Sequence, residues 1–286
     1  MDDSAYNRRG IADVFANSPA VEIVGKAGDG EEALRIVTLL KPDVITLDLE
    51  MPRMDGFTFL RILMAKVPTP VIVVSSYAQR ENVFKALELG ALDFVPKPDR
   101  FGPDATEARA DILQKVLSVG SIQPTFVPST LIRRQASGAF NADGKPIAFD
   151  PAVASVYRAP KQIIAMASST GGPSALIQLF SKIQASTSSA FLVAQHMPDK
   201  FTRAFAERLD RRGALRTTEA GDGDLVRQGT GFVCPGRKCM EVDQVGAEVK
   251  LRVMPGSPAD RYVPSADRLL KSAAVFGSRC IGVILT

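Results

Sequence analysis

The chain has 286 residues, 45% hydrophobic and 23% charged, the balance of a soluble globular protein with room for two domains. Basic residues number 35 against 31 acidic ones, a net charge of +4. With no run of five or six like charges, that excess argues for no nucleic-acid partner. No apolar stretch reaches bilayer length and no signal-peptide pattern opens the chain, so a cytoplasmic location without membrane insertion is expected. Cys234, Cys239 and Cys280 are an odd set without C-x-x-C spacing and read as reduced thiols, not as a zinc site or disulfide framework. His196 is the sole histidine, so any imidazole chemistry has to use it.

Strand and helix patterns alternate over residues 1–118. Residues 21–27 are β-branched and apolar and read as a strand. Residues 30–40 carry Ala33, Leu34, Val37 and Leu40 at helical spacing. A short buried-strand run over 44–47 ends at Asp48, and a turn at 52–56 leads into a helix over 56–66. Residues 70–74 read as a strand ending at Ser75-Ser76, 81–89 as a helix stopped by Gly90, and 91–95 as a strand ending at Pro96-Lys97-Pro98. A last helix over 104–117 puts Ile112, Leu113 and Leu117 on one face. Repeated β-α units imply a parallel sheet with helices on both sides.

Asp48, Ser75 and Lys97 each follow an apolar strand, so a parallel sheet gathers them on the edge where ligands bind. Asp2 and Asp3 join them if a preceding strand aims them there. Crowded carboxylates repel one another unless a hard cation such as Mg²⁺ sits between them. A lysine beside them neutralises charge on a phosphoryl group, and a hydroxyl donates to its oxygen. Taken singly, an aspartate after a strand is a turn former and a Lys-Pro pair a solvated loop; the set in order at strand ends points to phosphoryl chemistry.

Asp2-Asp3-Ser4, Leu47-Asp48-Leu49-Glu50-Met51-Pro52-Arg53-Met54-Asp55-Gly56, Val74-Ser75-Ser76 and Pro96-Lys97-Pro98 resemble a response-regulator receiver domain. The resemblance implies a flavodoxin-like, doubly wound fold. It implies that Asp48 accepts a phosphoryl group from a partner histidine kinase. Asp2, Asp3, Asp48 and the backbone carbonyl of Glu50 would hold Mg²⁺, and Ser75 and Lys97 would contact the aspartyl phosphate. Phe94 falls on the family's aromatic switch position, where core packing is the alternative reading. Receivers carry a full apolar strand before the acidic pair, whereas Met1 directly precedes Asp2 here. A missing first, central strand predicts a weakened receiver, a mobile acidic pair and poor uptake of phosphate from small phosphodonors.

Residues 119–160 scatter proline and glycine among serine, alanine and glutamine, the composition of a flexible linker. Arg133-Arg134 within it reads as a solvated pair. A linker this long lets one domain cover the other and then release it, which suits a phosphorylation switch.

Residues 161–286 form the second segment. The apolar run Ile163-Ile164-Ala165-Met166-Ala167 ends in Ser168-Ser169-Thr170; Gly171-Gly172-Pro173 and a helix-like stretch over 174–183 follow. This is strand, tight turn, helix. The glycines let the backbone bend and approach a substrate, and a helix start offers N–H groups to an anion. A serine there is placed as a nucleophile, although hydroxyls at such positions also cap helices. The glycines all follow the serine, which sets the pattern apart from the G-x-S-x-G elbow. A strand over 190–194 ends at Gln195-His196-Met197-Pro198. Then come a helix over 201–209 with Phe201, Phe205 and Leu209 on one face, a turn at 221–224, strands over 231–235, 239–242 and 249–253, a helix over 264–276 and a final strand over 280–285. Ser169 and His196 both lie just past strand ends. On adjacent parallel strands they share an edge, where the imidazole can take the hydroxyl proton.

Ala165-Met166-Ala167-Ser168-Ser169-Thr170-Gly171-Gly172, Gln195-His196-Met197-Pro198, Phe201-Thr202-Arg203, Pro235-Gly236, Pro264-Ser265-Ala266-Asp267 and Gly282-Val283-Ile284-Leu285-Thr286 together resemble the chemotaxis protein-glutamate methylesterase domain. The resemblance implies a Rossmann-like fold with Ser169 as nucleophile and His196 as general base; Ser168 stands where the family carries a small residue. The implied substrates are γ-glutamyl methyl esters on methyl-accepting chemoreceptors, with deamidation of receptor glutamines by the same acyl chemistry. Phosphorylation of Asp48 would lift the receiver off the active site. The family's triad aspartate falls beyond Thr286, with Asp267 a possible substitute, so ester hydrolysis by residues 1–286 is expected near background and restored by a longer C-terminus. The competing reading is a catalytically impaired copy acting as a phospho-dependent binding module for kinase or receptor. A DNA-binding regulator lacks support, because no recognition-helix pattern or basic face follows the linker.

Overall fold

A computed structural model describes residues 1–76, 80–97, 105–120 and 157–285. Most of the expected linker, Pro98, the Arg133-Arg134 pair and Thr286 lie outside the described residues. The chain divides into two compact units, Met1–Arg133 and Arg134–Thr286.

The first unit runs α1 (Ala5–Phe15), α2 (Gly30–Leu40), β1 (Ile45–Leu47), α3 (Gly56–Lys66), β2 (Val71–Ser75), α4 (Arg80–Glu88), β3 (Asp93–Pro96) and α5 (Ala105–Gly120). The three strands form a parallel sheet in the order β1-β2-β3. Every residue of β2 is buried, the pattern of a strand covered on both faces. Ile11 and Phe15 of α1 pack with Ile72 and Val74 of β2 and with Ile112 and Val116 of α5. This apolar stripe orders α1 against the sheet, although its sparse hydrophobic residues give little periodic signal. Ser4 caps α1 by accepting from Asn7 N at 3.3 Å.

The segment 21–27 forms no strand. Its ladder partner is only two residues long: Asp2 N donates to Ala27 O at 3.2 Å, while Met1 N donates to Thr46 O at 2.7 Å and Asp48 N to Met1 O at 3.0 Å. Met1 and Asp2 therefore lie between this segment and β1. Of the acidic pair expected to be mobile, Asp2 is fully buried and its N–H is bonded to Ala27 O, while Asp3 is exposed.

The second unit runs β4 (Gln162–Ser168), α6 (Gly172–Phe180), β5 (Ser189–Gln195), α7 (Asp199–Arg212), β6 (Arg216–Glu219), β7 (Thr230–Val233), β8 (Lys238–Val245), β9 (Glu248–Pro255), α8 (Ala266–Ala274) and β10 (Cys280–Leu285). Five parallel strands are ordered β10-β4-β5-β7-β6, and β8 and β9 form an antiparallel hairpin turning at Gly246. The polar strand β6 is held by pairing with β7, a partnership local sequence does not announce. Leu192, Phe232, Met240, Leu251 and Leu269 share one core, joining sheet, hairpin and α8. Cys234, Cys239 and Cys280 carry no disulfide. Both units are α/β with parallel sheets, as the alternating pattern predicts.

Candidate active sites

In the first unit the strand ends converge. Lys97 N donates to Ser75 O at 2.8 Å, extending the β2–β3 ladder past Ser75↔Pro96. Lys97 Nζ lies 2.5 Å from Asp48 Oδ2 and 3.1 Å from Asp2 Oδ2. One carboxylate oxygen from each of Asp2, Asp3 and Asp48 falls within 4.8 Å of the others. Asp2 and Asp48 are buried and Asp3 is exposed. Burial pushes the Asp48 carboxyl above its usual range, although Lys97 pulls the other way. Burial also works against the Lys97 charge, but the hydrogen bond and charge of Asp48, with Asp2 behind it, outweigh it and hold the ammonium above its ordinary value.

Asp2 Oδ1 accepts from Ser4 N at 2.9 Å and from Asn7 Nδ2 at 3.2 Å. Asp2 Oδ2 is a buried oxygen that receives no aligned hydrogen bond, although Lys97 is near enough for charge attraction. A buried carboxylate oxygen without an aligned hydrogen bond, among three hard oxygen donors, fits a small divalent cation. Glu50 N donates weakly to Asp48 Oδ1 at 3.4 Å. The loop beyond it requires Gly56, where a Cβ would lie 2.4 Å from the carbonyl oxygen of Asp48. An open hollow of about 470 Å³, lined by Asp3, Glu50, Met51, Asp55 and Phe57 among others, adjoins the cluster. Ser75 is buried at the end of β2. Phe94 is fully buried, edge-on to Phe84 at 6.2 Å between ring centroids.

In the second unit β4 and β5 pair in register to Ser168↔Gln195. The next residues are Ser169 and His196, and His196 N still donates to Ser168 O at 3.1 Å. Neighbouring strands run about 4.8 Å apart, and Ser169 and His196 each follow directly on these paired ends at the carboxyl edge. Gly171 takes a left-handed φ of 77°, reversing the chain into α6, and no side chain caps the first turn of that helix. The Ser168 hydroxyl is buried and donates to Gln195 Oε1 at 2.6 Å, which commits its proton away from the edge. Tyr262 meets His196 edge-on, 6.1 Å between ring centroids. Asp267 is exposed in the first turn of α8. The contacts of Gln195 and Tyr262 carry no motif and could not be found without the fold.

Comparison with known proteins assigns a family to each unit. The family model for the response regulator receiver domain matches residues 1–105, and that for CheB methylesterase matches residues 164–286. Protein-glutamate methylesterase/protein-glutamine glutaminase 1 of Myxococcus xanthus is 44% identical over 288 residues, an alignment covering 100% of this chain and 78% of that protein. A Geobacter sulfurreducens relative, numbered 3 under the same name, is 44% identical over 100% of this chain and 80% of its own length. The Pyrococcus abyssi relative is 37% identical over 100% of this chain and 76% of its own. With the receiver match, the methylesterase match and full-length identity in hand, the chain belongs to the protein-glutamate methylesterase/protein-glutamine glutaminase family of chemotaxis.

Proposed function

We propose that the chain is a phosphorylation-activated hydrolase that removes methyl esters from glutamate side chains of chemoreceptors and deamidates receptor glutamines. The observation that supports this is the β4–β5 register, which pairs Ser168 with Gln195, the residues directly before Ser169 and His196, at the mouth of a glycine turn. His196 takes the proton as Ser169 Oγ bonds to the ester carbonyl carbon. Backbone N–H groups near the turn stabilise the oxyanion. The carbonyl re-forms as the C–OCH₃ bond breaks, and the methoxide leaves with the imidazolium proton as methanol. Water, deprotonated by His196, then releases glutamate and restores the serine. An amide follows the same path and releases ammonia.

In the first unit Asp48 accepts the phosphoryl group from a histidine kinase. Asp2, Asp3, Asp48 and the Glu50 carbonyl would hold Mg²⁺, whose charge would offset that of a phosphoryl group. Lys97 exchanges its carboxylate contact for a phosphoryl oxygen, and Ser75 donates to another. No helix among the described residues is long and apolar enough to cross a membrane; membership of a chemotaxis signalling family supports a cytoplasmic location. The binding-module alternative is not favoured, given relatives named as enzymes across the full chain.

Methanol release from methylated chemoreceptors by the whole protein tests this, with and without acetyl phosphate and Mg²⁺. Ser169→Ala lowers the rate by roughly 10³-fold or more. Asp48→Asn leaves the basal rate and removes the stimulation. Equal methanol release from the Ser169→Ala protein would refute the esterase mechanism.

A further inference from the structure

We infer that Gln195 is a positioning residue for ester cleavage: its single buried amide, backed by Ser168, fixes the spacing between the nucleophile and base backbones. The inference rests on the reading of Ser169 and His196 given above.

The Gln195 side chain is fully buried. Its Nε2 donates to Ser169 O at 3.0 Å and to His196 O at 2.9 Å, while its Oε1 accepts from Ser168 Oγ at 2.6 Å. The orientation is dictated by chemistry. Main-chain carbonyls only accept, so the NH₂ group has to face them, and the carbonyl end is left for the serine hydroxyl. Both amide hydrogens are thereby divided between the two residues that carry the reaction.

This matters because regular pairing of β4 with β5 stops at Ser168↔Gln195. Just past that point the two chains part, one into the glycine turn and the other toward Pro198. The amide bridges the gap where sheet hydrogen bonds end. It also has no room to swing aside. A Cβ at Gly172 would lie 2.1 Å from Gln195 Oε1 and 2.9 Å from Ser168 Oγ, so the start of α6 sits directly on the brace. A proton moves efficiently from hydroxyl to imidazole only within hydrogen-bond reach, and a displacement of about 1 Å lowers rates by roughly 10²-fold.

The test is covalent labelling of the chain by an alkyl fluorophosphonate, with the modified residue identified by mass spectrometry and saturation kinetics separating maximal rate from half-saturating concentration. Parent chain labelled at residue 169, with no labelling of Ser169→Ala, supports the underlying site. Labelling elsewhere sinks that reading together with the inference built on it. Given a labelled parent, Gln195→Leu keeps the volume and removes all three hydrogen bonds. Its maximal rate is expected to fall by roughly 10²-fold with half-saturation unchanged within about twofold. Ser168→Ala keeps both Nε2 bonds and removes only the backing. It is expected to fall about three- to tenfold in maximal rate, again at unchanged half-saturation, and it reports even if the Leu variant does not fold. A folded Gln195→Leu chain that labels at the parent rate, or a Ser168→Ala chain with no fall in maximal rate, overturns the proposal.

Discussion

The two sites occupy the same place, the carboxyl edge of a parallel sheet, yet different forces hold them together. In the first unit side-chain charges from distant points of the chain meet: Lys97 spans Asp2 and Asp48, and both acids are buried. In the second unit neutral groups and close backbone approach set the geometry: a glutamine amide, a serine hydroxyl and a glycine with no space for a methyl group. Each matches its chemistry. A site that receives a highly charged phosphoryl group benefits from a field, at the expense of burying charge. A site that transfers a proton between uncharged partners depends on distance and angle.

The contrast breaks most sharply at Lys115. This ammonium is buried on α5, 3.2 Å from Asp93 Oδ1 and 3.7 Å from Asp111 Oδ2, and donates to Phe94 O at 2.7 Å. Lys115→Met strands the Asp93 carboxylate and is expected to destabilise the first unit by about 3–5 kcal/mol, with Asp93→Leu in the same chain recovering most of it. Chemical denaturation followed by probes in each unit measures this. A single-variant loss below about 1 kcal/mol would show that charge does not hold this unit together.

Gly172→Ala is the matching test of the neutral site. The added methyl meets Gln195 Oε1 and, at 2.7 Å, Ser168 Cβ. Both atoms belong to a buried, fully bonded cluster, so relief has to come from shifts at the start of α6. The expected loss is about 1–3 kcal/mol in the second unit, while phosphorylation of Asp48 stays at parent level. A stable variant with unaltered esterase rate would mean the edge is looser than its contacts imply.

What the sequence discloses follows the same division. Asp48, Ser75 and Lys97 were legible because each ends an apolar run, and parallel topology collects such ends. The turn at Gly171 and the pairing of the two strands that end just before Ser169 and His196 were legible for the same reason. Three things were not. The helix α1 has too few apolar residues to show a period, and its order comes from packing Ile11 and Phe15 on the sheet. The polar strand β6 exists through pairing with β7. The segment 21–27 has strand composition without a ladder, because its neighbour is only Met1 and Asp2. The contacts of Gln195 and Lys115 are likewise tertiary facts. Gln195 stands in a motif that resembles the family's, but neither the motif nor a lysine in a helix shows which groups the side chain will meet.

The smallest effect tests a charged cluster near the neutral site. Asp260 accepts from Ser257 N at 2.7 Å, Ser257 Oγ at 2.9 Å and Arg268 Nε at 2.8 Å. The Ser257 N–H foremost, with the Arg268 guanidinium behind it, holds the carboxyl down to about 2, against an ordinary 3.8. Two residues on, Tyr262 rests against His196. A carboxylate depressed on folding adds stability that is fully present above the unfolded value near 3.8 and is lost as pH falls through about 2. Asp260→Asn removes the titrating group, so the second unit should lose less stability than the parent between pH 4 and pH 2, while the first unit follows the parent curve. Superimposable acid limbs for parent and variant would show that the charge of Asp260 adds nothing to the loop that carries Tyr262, leaving neutral contacts as the whole support of that edge.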